Sequence, residues 1–309
     1  MQTLTRWLAV ATVAVVAAAC GGSKPEAPAA AKRPVVGVTL LTQTHSFFKD
    51  LEAGLREEAA KQNIDLVVVA CEMDPAKQAA QIEDFVAQKV SAILAAPCDS
   101  NAIVPQLAGP EAAGIPVFTA DISAHGGKIV SHVASDNVQG GRLAAKALAE
   151  AMGNRGKVLI IDHPTVASVQ DRVKGFDEEM KNHPGITIVG RPSADGQRAR
   201  AMAVMEDALQ ANGDLRGVFG INDDSALGAL AVLDAAGRKD VVVVGYDASP
   251  EAQAAIRSGG PLKAEVVQDP KRIGRTAIEM IAKHLKGEAV PPIVSVEVSI
   301  VNAQTLGGK

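Results

Sequence analysis

From residue 35 to residue 301 the chain alternates short apolar runs with longer segments of helical periodicity, and it passes through that alternation twice. The first pass places strands at 35–41, 64–70, 92–96, 116–120 and 129–134. Helices over 47–62, from Asp74-Pro75 to about 89, and over 103–113 lie between them. The second pass places helices at 137–152, 166–182 and 196–210 between strands at 157–161, 186–190 and 218–221. It continues with a helix ending at Gly237, a strand at 241–246, a helix from Pro250 and a strand at 263–267. A helix over 270–285 and a final strand over 293–301 close the chain. The strand runs are apolar without polar alternation, as in strands covered on both faces. Regular βα alternation of this kind builds a parallel, doubly wound sheet, and two such units follow one another. Apolar residues make up 47% of the 309 residues but aromatic ones only 3%, which suits tightly repeated βα packing.

The first 33 residues lie outside this pattern. Arg6 precedes an unbroken apolar and small-residue run over 7–19, interrupted only by Thr12. The run is shorter than a membrane-spanning helix and suits the apolar region of a signal peptide, here 1–19. It ends in Ala17-Ala18-Ala19-Cys20-Gly21, which resembles a bacterial lipobox, with Ala17 where Leu is most usual. Cys20 is therefore the expected lipidation site. Residues 20–33, rich in Gly, Ser, Pro, Ala and Lys without periodicity, read as a flexible tether. The folded part is expected to begin near Pro34, outside the cytoplasm, in the periplasm or at the cell surface. No later run approaches the about 18 apolar residues a spanning helix needs.

Cys71 and Cys98 both follow apolar strands. They are either a disulfide, which an oxidising compartment permits, or two separate buried thiols. The net charge of −4 favours neither nucleic acid nor an anionic membrane surface. The six histidines are scattered without metal-ligand spacing. Phosphate-loop, Rossmann-glycine, serine-hydrolase and metalloprotease motifs are absent from the sequence. No metal, cofactor or catalytic residue is expected.

The clearest polar signal is the stretch GVFGINDDSALGAL at 217–230: a strand, then Asn222-Asp223-Asp224-Ser225, then a helix. Such residues suit a helix N-terminus. Side chains at the C-terminal end of a parallel strand also face the crevice where open α/β sheets bind ligands. Asp121, Asp136 and Asp247 stand at other strand ends. A pair of carboxylates can do acid–base chemistry, but no nucleophile or base arrangement accompanies these.

The segments His45-Ser46-Phe47-Phe48, Asp74-Pro75-Ala76-Lys77, Gly114-Ile115-Pro116-Val117 up to Asp121, SHVASDNVQGG at 131–141, Arg172-Val173-Lys174-Gly175-Phe176 and Val243-Val244-Gly245-Tyr246-Asp247 together resemble the periplasmic sugar-binding proteins of ABC importers, the ribose-binding type. The resemblance spans nearly all of residues 34–301. It implies two doubly wound parallel-sheet lobes joined by a three-strand hinge, with the ligand cleft between them. Residues 34–136 plus 268–291 would form the N-terminal lobe, and 137–267 plus 292–309 the C-terminal lobe. It also implies capture of a monosaccharide or related polyol by a monomer that closes on its ligand. Delivery would be to an ABC permease or, in the alternative, to a chemoreceptor or sensor kinase. Regulators of the lac-repressor type share the two-lobed core, but they need an N-terminal helix-turn-helix where this chain has a signal segment.

The resemblance assigns Phe47 and Phe48 to stacking on the sugar. Asp121, Asn222, Asp247 and Gln268 would bond its hydroxyls. Asp223 is a weaker candidate, and Asp224 and Ser225 read as cap and first turn. Tyr246 either lines the site or packs in the core, and His45 either bonds a hydroxyl or caps the following helix. Four departures stand out: His45 replaces an Asn, Ile122 an Arg and Gly196 an aromatic residue, while Gln170 stands where a sugar-binding Arg is expected. Arg172, two residues on, matches a different family position. These departures leave a less charged, roomier pocket, and ribose itself is not the expected ligand.

Overall fold

The computed structural model describes residues 33–307; the signal segment, Cys20 and the tether up to residue 32 lie outside the described residues. Among the described residues two six-stranded sheets carry the chain. The first contains β1 (Val35–Leu40), β2 (Asp65–Ala70), β3 (Ala92–Ala95), β4 (Val117–Ala120), β5 (His132–Ser135) and β11 (Ile293–Val296), in the order β2-β1-β3-β4-β5-β11, all parallel. The second contains β6 (Gly156–Ile161), β7 (Ile186–Gly190), β8 (Leu215–Gly220), β9 (Val242–Asp247), β10 (Leu262–Val267) and β12 (Ser299–Asn302). Its order is β7-β6-β8-β9-β10-β12, with only β12 antiparallel. The first five strands of each sheet follow the same order, so the duplicated alternation in the sequence becomes two copies of one topology. β3 and β4 are buried at every residue, which explains their lack of polar alternation.

The helices are α1 (Ser46–Gln62), α2 (Pro75–Ala87), α3 (Ala108–Ala112), α4 (Asn137–Ala151), α5 (Ala167–Met180), α6 (Arg198–Ala211), α7 (Asp223–Ala235), α8 (Pro250–Arg257) and α9 (Pro270–Leu285). Several begin two to six residues past a strand, on a capping side chain: His45 for α1, Asp74 for α2, Asp136 for α4, Asn222 for α7, Ser249 for α8 and Asp269 for α9. Each cap satisfies an otherwise unpaired helix N–H. Pro75, Pro250 and Pro270 take the first helical position, where proline sacrifices no hydrogen bond. The helix expected over 103–113 is instead a 3₁₀ turn, Val104–Leu107, followed by the short α3. Pro105 and Pro110 remove two backbone donors from that segment.

The chain crosses between the sheets three times. It leaves β5 for α4, which packs on α5, β9 and β10, and returns after β10 through α9, which packs on α1, β4 and β5. The third crossing corrects the expected boundary. The final strand over 293–301 is two strands, broken at Glu297-Val298, and the first of them pairs with β5. The switch of lobes thus falls after Val296, not at 291–292. The reason is pairing: β11 completes the parallel edge of the first sheet, and β12 lies antiparallel on β10 of the second.

Close helix contact fixes α5, which carries part of the cleft wall. A Cβ on Gly141 of α4 would overlap the Arg172 carbonyl, and one on Gly175 of α5 would overlap the Val138 carbonyl. Behind them Phe176 and Phe219 stack with centroids 4.7 Å apart. Cys71 and Cys98 are joined in a disulfide within the first lobe, with Cα atoms 6.6 Å apart.

Candidate functional site

The C-terminal ends of β1, β4, β6, β8, β9 and β10 converge on one cleft between the lobes, the place the open α/β rule assigns to ligands. Its lining includes His45, Phe47, Phe48, Asp121, Asn222, Asp247 and Gln268. The lobes are closed over it: Ala167 N–H donates to Ser100 Oγ at 2.9 Å, and Ser100 N–H donates to the Thr165 carbonyl at 3.0 Å.

His45 takes the capping role open to it in the sequence and keeps its other ring nitrogen on the cleft. Its Nδ1 accepts from Phe47 N–H at 3.2 Å, capping α1. That bond puts the ring proton on Nε2. Nε2 faces the cleft, 3.7 Å from Asp247 Oδ2 and 3.8 Å from Asp224 Oδ2. Phe47 and Phe48 follow on the first turn of α1, both buried, with their rings edge-to-face at 5.2 Å.

Asp121 sits past β4 with φ +64°, a left-handed turn that lifts its carboxyl into the cleft. Burial pushes its pKa up to about 7, with nearby Arg172 opposing the rise. Asp247, ending β9 at φ +102°, accepts from Gln268 Nε2 at 2.6 Å. Its pKa is also raised by burial, against the pull of His45 and Arg172. Asn222 caps α7 through Oδ1, which accepts from Ser225 N–H at 2.9 Å, while Nδ2 donates to the Gly196 carbonyl at 3.0 Å. The second Nδ2 proton is left for the cleft. Three buried polar atoms on this lining, His45 Nε2, Asp121 Oδ1 and Gln268 Oε1, have no hydrogen-bond partner. Buried polar groups ordinarily require one.

Three expected residues are placed elsewhere. Gln170 points outward, its Nε2 donating to the Pro164 carbonyl at 2.8 Å, and the arginine of the cleft is Arg172. The phase of the helix explains the exchange: Val169, Arg172, Val173 and Phe176 share the inward face of α5, and Gln170 lies off it. Asp223 is the first residue of α7 and turns back into the lobe. Its Oδ2 accepts from Ser249 N–H at 3.0 Å, and its carboxyl lies beside Glu265. Burial and then Asp223 push the Glu265 carboxyl well above the usual carboxylate range. Tyr246 is fully buried behind the cleft. It supports Arg172, whose guanidinium lies 3.8 Å from its ring centroid.

Arg172 is the residue that sequence reasoning left out of the site. It is only 4% exposed. Its Nε donates to Asn137 Oδ1 at 2.8 Å and its Nη1 to the Ile221 carbonyl at 2.7 Å. These bonds hold the guanidinium against the cleft. His163 and Ser168 also line the cleft unforeseen. Burial lowers the His163 pKa to about 4, so its imidazole is neutral. Ile122 and Gly196 stand in the lining as the departures from the family pattern implied. Among the described residues no group of three or more His, Cys, Asp or Glu could hold a metal ion.

The wall therefore offers one fixed cation, two carboxylates of raised pKa, the imidazoles of His45 and His163 and two amides, with aromatic rings facing them. Such a set pairs with a molecule rich in hydroxyls, whose donors and acceptors match these groups.

Comparison with known proteins agrees with this geometry. The ribose import binding protein of Bacillus subtilis (strain 168) is 35% identical over 274 residues, covering 88% of each chain. An ABC transporter solute-binding protein of Mycobacterium smegmatis, solved with bound glycerol, superposes with a TM-score of 0.85 at 35% identity, over 89% of this chain and 96% of its own. One from Agrobacterium vitis, bound with α-D-tagatopyranose, gives 0.84 at 29% identity over the same shares. The sequence model of the periplasmic binding protein domain matches residues 36–289, and the chain belongs to that family.

Proposed function

We propose that this chain is an extracytoplasmic solute-binding lipoprotein that captures a monosaccharide or related polyol between its lobes and delivers it to an ABC permease. The observation that carries this reading is the set of partnerless buried atoms, His45 Nε2, Asp121 Oδ1 and Gln268 Oε1, around one closed cleft. The hydroxyls of a sugar supply both donors and acceptors to such atoms, and its C–H faces pack on Phe47 and Phe48. The ligand touches both walls only when the lobes are closed, so binding shifts the population towards the closed form that a permease recognises. Capture breaks no bond of the solute, and the family is one of binding proteins. Cys20 would carry the lipid that holds the monomer at the membrane. Ile122 and Gly196 argue against ribose itself, because a guanidinium and a stacking ring are replaced by an alkyl group and a hydrogen.

A thermal-shift screen of the purified chain against pentoses, hexoses, polyols, nucleosides and amino acids tests this. A sugar or polyol at a hundred times its Kd is expected to add about 2.7 kcal/mol of stability. Stabilisation by nucleosides or amino acids alone would overturn the assignment.

A further inference from the structure

The turn that ends β9 aims Asp247 at the cleft, and its backbone needs holding. Asp247 has φ +102° and Ala248 φ +58°, two consecutive non-glycine residues in the left-handed region. Such a turn persists only where its surroundings fix it. Two buried carboxyls do so from behind. Ala248 N–H donates to Glu265 Oε2 at 2.8 Å, and Ser249 N–H donates to Asp223 Oδ2 at 3.0 Å. Asp223 also gives its own N–H to Asp247 Oδ2 at 3.4 Å. Glu265 stands on β10 opposite Gly245 of β9, and Asp223 opens α7.

Because they bind consecutive residues of one turn, about 3.8 Å apart, the two carboxyls lie side by side, within hydrogen-bond reach of each other. Each has one oxygen left over. Those oxygens, Asp223 Oδ1 and Glu265 Oε1, are both buried without a partner. A Cβ on Gly245 would stand 2.2 Å from Glu265 Oε1 and 2.8 Å from the Ala226 Cβ. Glu265 Oε1 therefore occupies the space that glycine leaves under the first turn of α7, where Asp223 neighbours Ala226. Two ionised carboxylates cannot satisfy one another there, since both only accept and their charges repel. One proton satisfies both. The helix N-terminus favours the charge on Asp223, and full burial favours the neutral form of Glu265.

We propose that Glu265 carries this proton and donates it from Oε1 to Asp223 Oδ1, and that the resulting acid pair positions Asp247 for the ligand. This rests on the sugar-binding reading above and adds two residues that touch no ligand but set where its acceptor stands. The other charged groups on the elements around Glu265 are engaged or turned away. Arg198 binds Asp224 of α7 and Glu251 of α8, and Lys263 of β10 donates to the Gly259 carbonyl. Asp234 and Arg257 are exposed, and β12 carries no charged residue. The groups that face Glu265, Asp223 and Asp247, are both acidic, so neither offsets a charge on it.

The test compares Glu265→Gln and Glu265→Leu with the original full-length chain. Gln keeps an acceptor for Ala248 N–H and an N–H donor for Asp223 but cannot ionise; Leu keeps neither. The infrared difference between the original chain and Glu265→Gln, taken at about pH 8 where solvated carboxyls are ionised, is expected to show the C=O stretch of a protonated carboxyl. A difference that shows only an ionised carboxylate overturns the proton. Calorimetric titration with the sugar giving the largest thermal shift is expected to leave Glu265→Gln within about twofold of the original affinity and to cost Glu265→Leu about tenfold or more. Amide hydrogen exchange of the unliganded chains reads the turn itself: Ala248 and Ser249 are expected to stay protected in Glu265→Gln and to lose protection in Glu265→Leu. Asp223→Ala strips the same pair from the α7 side, with the same expected losses, and gives the reading where Glu265→Leu does not fold. Affinity and protection retained in these variants overturn the positioning role and leave sugar binding standing. If no sugar binds even the original chain, the sugar reading falls, while the infrared band and the exchange of the two amides still decide the acid pair.

Discussion

The first lobe meets the cleft with Leu41, Phe47, Phe48, Met73 and Ile122, and with Thr42, His45 and Asp121 as polar groups; the second meets it with more polar groups, Arg172, His163, Ser168, Asn222 and Asp247, beside Val166, Val169 and Ile221, joined by Gln268 at the crossing. Both walls stand on the same five-strand order. The difference is one of side chains at matching strand ends, and it divides the work. An apolar wall is cheap to desolvate and packs on ligand C–H faces. A polar wall stays hydrated in the open form and discriminates by which hydroxyls it pairs. A solute therefore gains most of its specificity from the second lobe and most of its enclosure from the first.

The sharpest way to break this division is Asp247→Ala. It removes the acceptor that Gln268 and the His45 Nε2–H both face. At about 2 kcal/mol for each of two charge-assisted hydrogen bonds, sugar affinity is expected to fall by about a thousandfold, read by titration calorimetry. The unliganded protein should melt within a few degrees of the original. Retained binding would remove the second lobe from the recognition surface.

Arg172→Met comes next, with about a hundredfold loss of affinity. Here the melting temperature is expected to fall as well. The Ile221 carbonyl loses its donor, and the face of Tyr246 loses its cation, together costing about 2–4 kcal/mol. A variant that melts normally but binds weakly would show Arg172 to be a ligand contact without a structural duty.

Phe48→Leu tests the other wall. It is expected to weaken binding about tenfold and nearly equally across sugars, since a stacked face carries little information about hydroxyl configuration. A change in the order of preference among sugars would contradict the division of labour.

The smallest effect is on pH dependence. Asp121 is held at about 7 in the closed form against an ordinary 3.8. The raised value means that the closed, unliganded form holds a proton that a solvated carboxyl has lost. Its contribution to stability is full below about pH 4 and is lost as pH rises through about 7. A ligand hydroxyl donating to the carboxylate favours the charged form. Binding should thus release protons near pH 6 and tighten a few-fold as pH rises towards 7. Titrations in buffers of different ionisation heat measure this, and observed heats that do not vary with the buffer would rule it out.

The fold was readable because its determinants are local. Apolar runs such as VVGVTL and AILA are bounded by capping residues and first-turn prolines, and those local signals set strand, helix and alternation. The third crossing was not readable, because residues 293–301 form one apolar-rich run and only pairing with two different sheets breaks it. At the site, residues on strand tips were legible because a tip has one place to point. Residues on helices were not: whether position 170 or 172 faces the cleft depends on the phase of α5, which the apolar stripe of Val169, Val173 and Phe176 encodes. Asp223 failed for a similar reason. It follows a cleft residue, but the first turn of α7 carries its side chain back towards Ser249 and Glu265.

The claim that the two walls close on one sugar is tested most directly at the contacts that cross the cleft, Ala167 N–H to Ser100 Oγ and Ser100 N–H to the Thr165 carbonyl. Amide hydrogen exchange of the full-length chain, with and without a saturating amount of the sugar giving the largest thermal shift, reads those two amides. Closure on the ligand predicts strong added protection at Ser100 and Ala167. Unchanged exchange at both amides, with the sugar demonstrably bound, would contradict it.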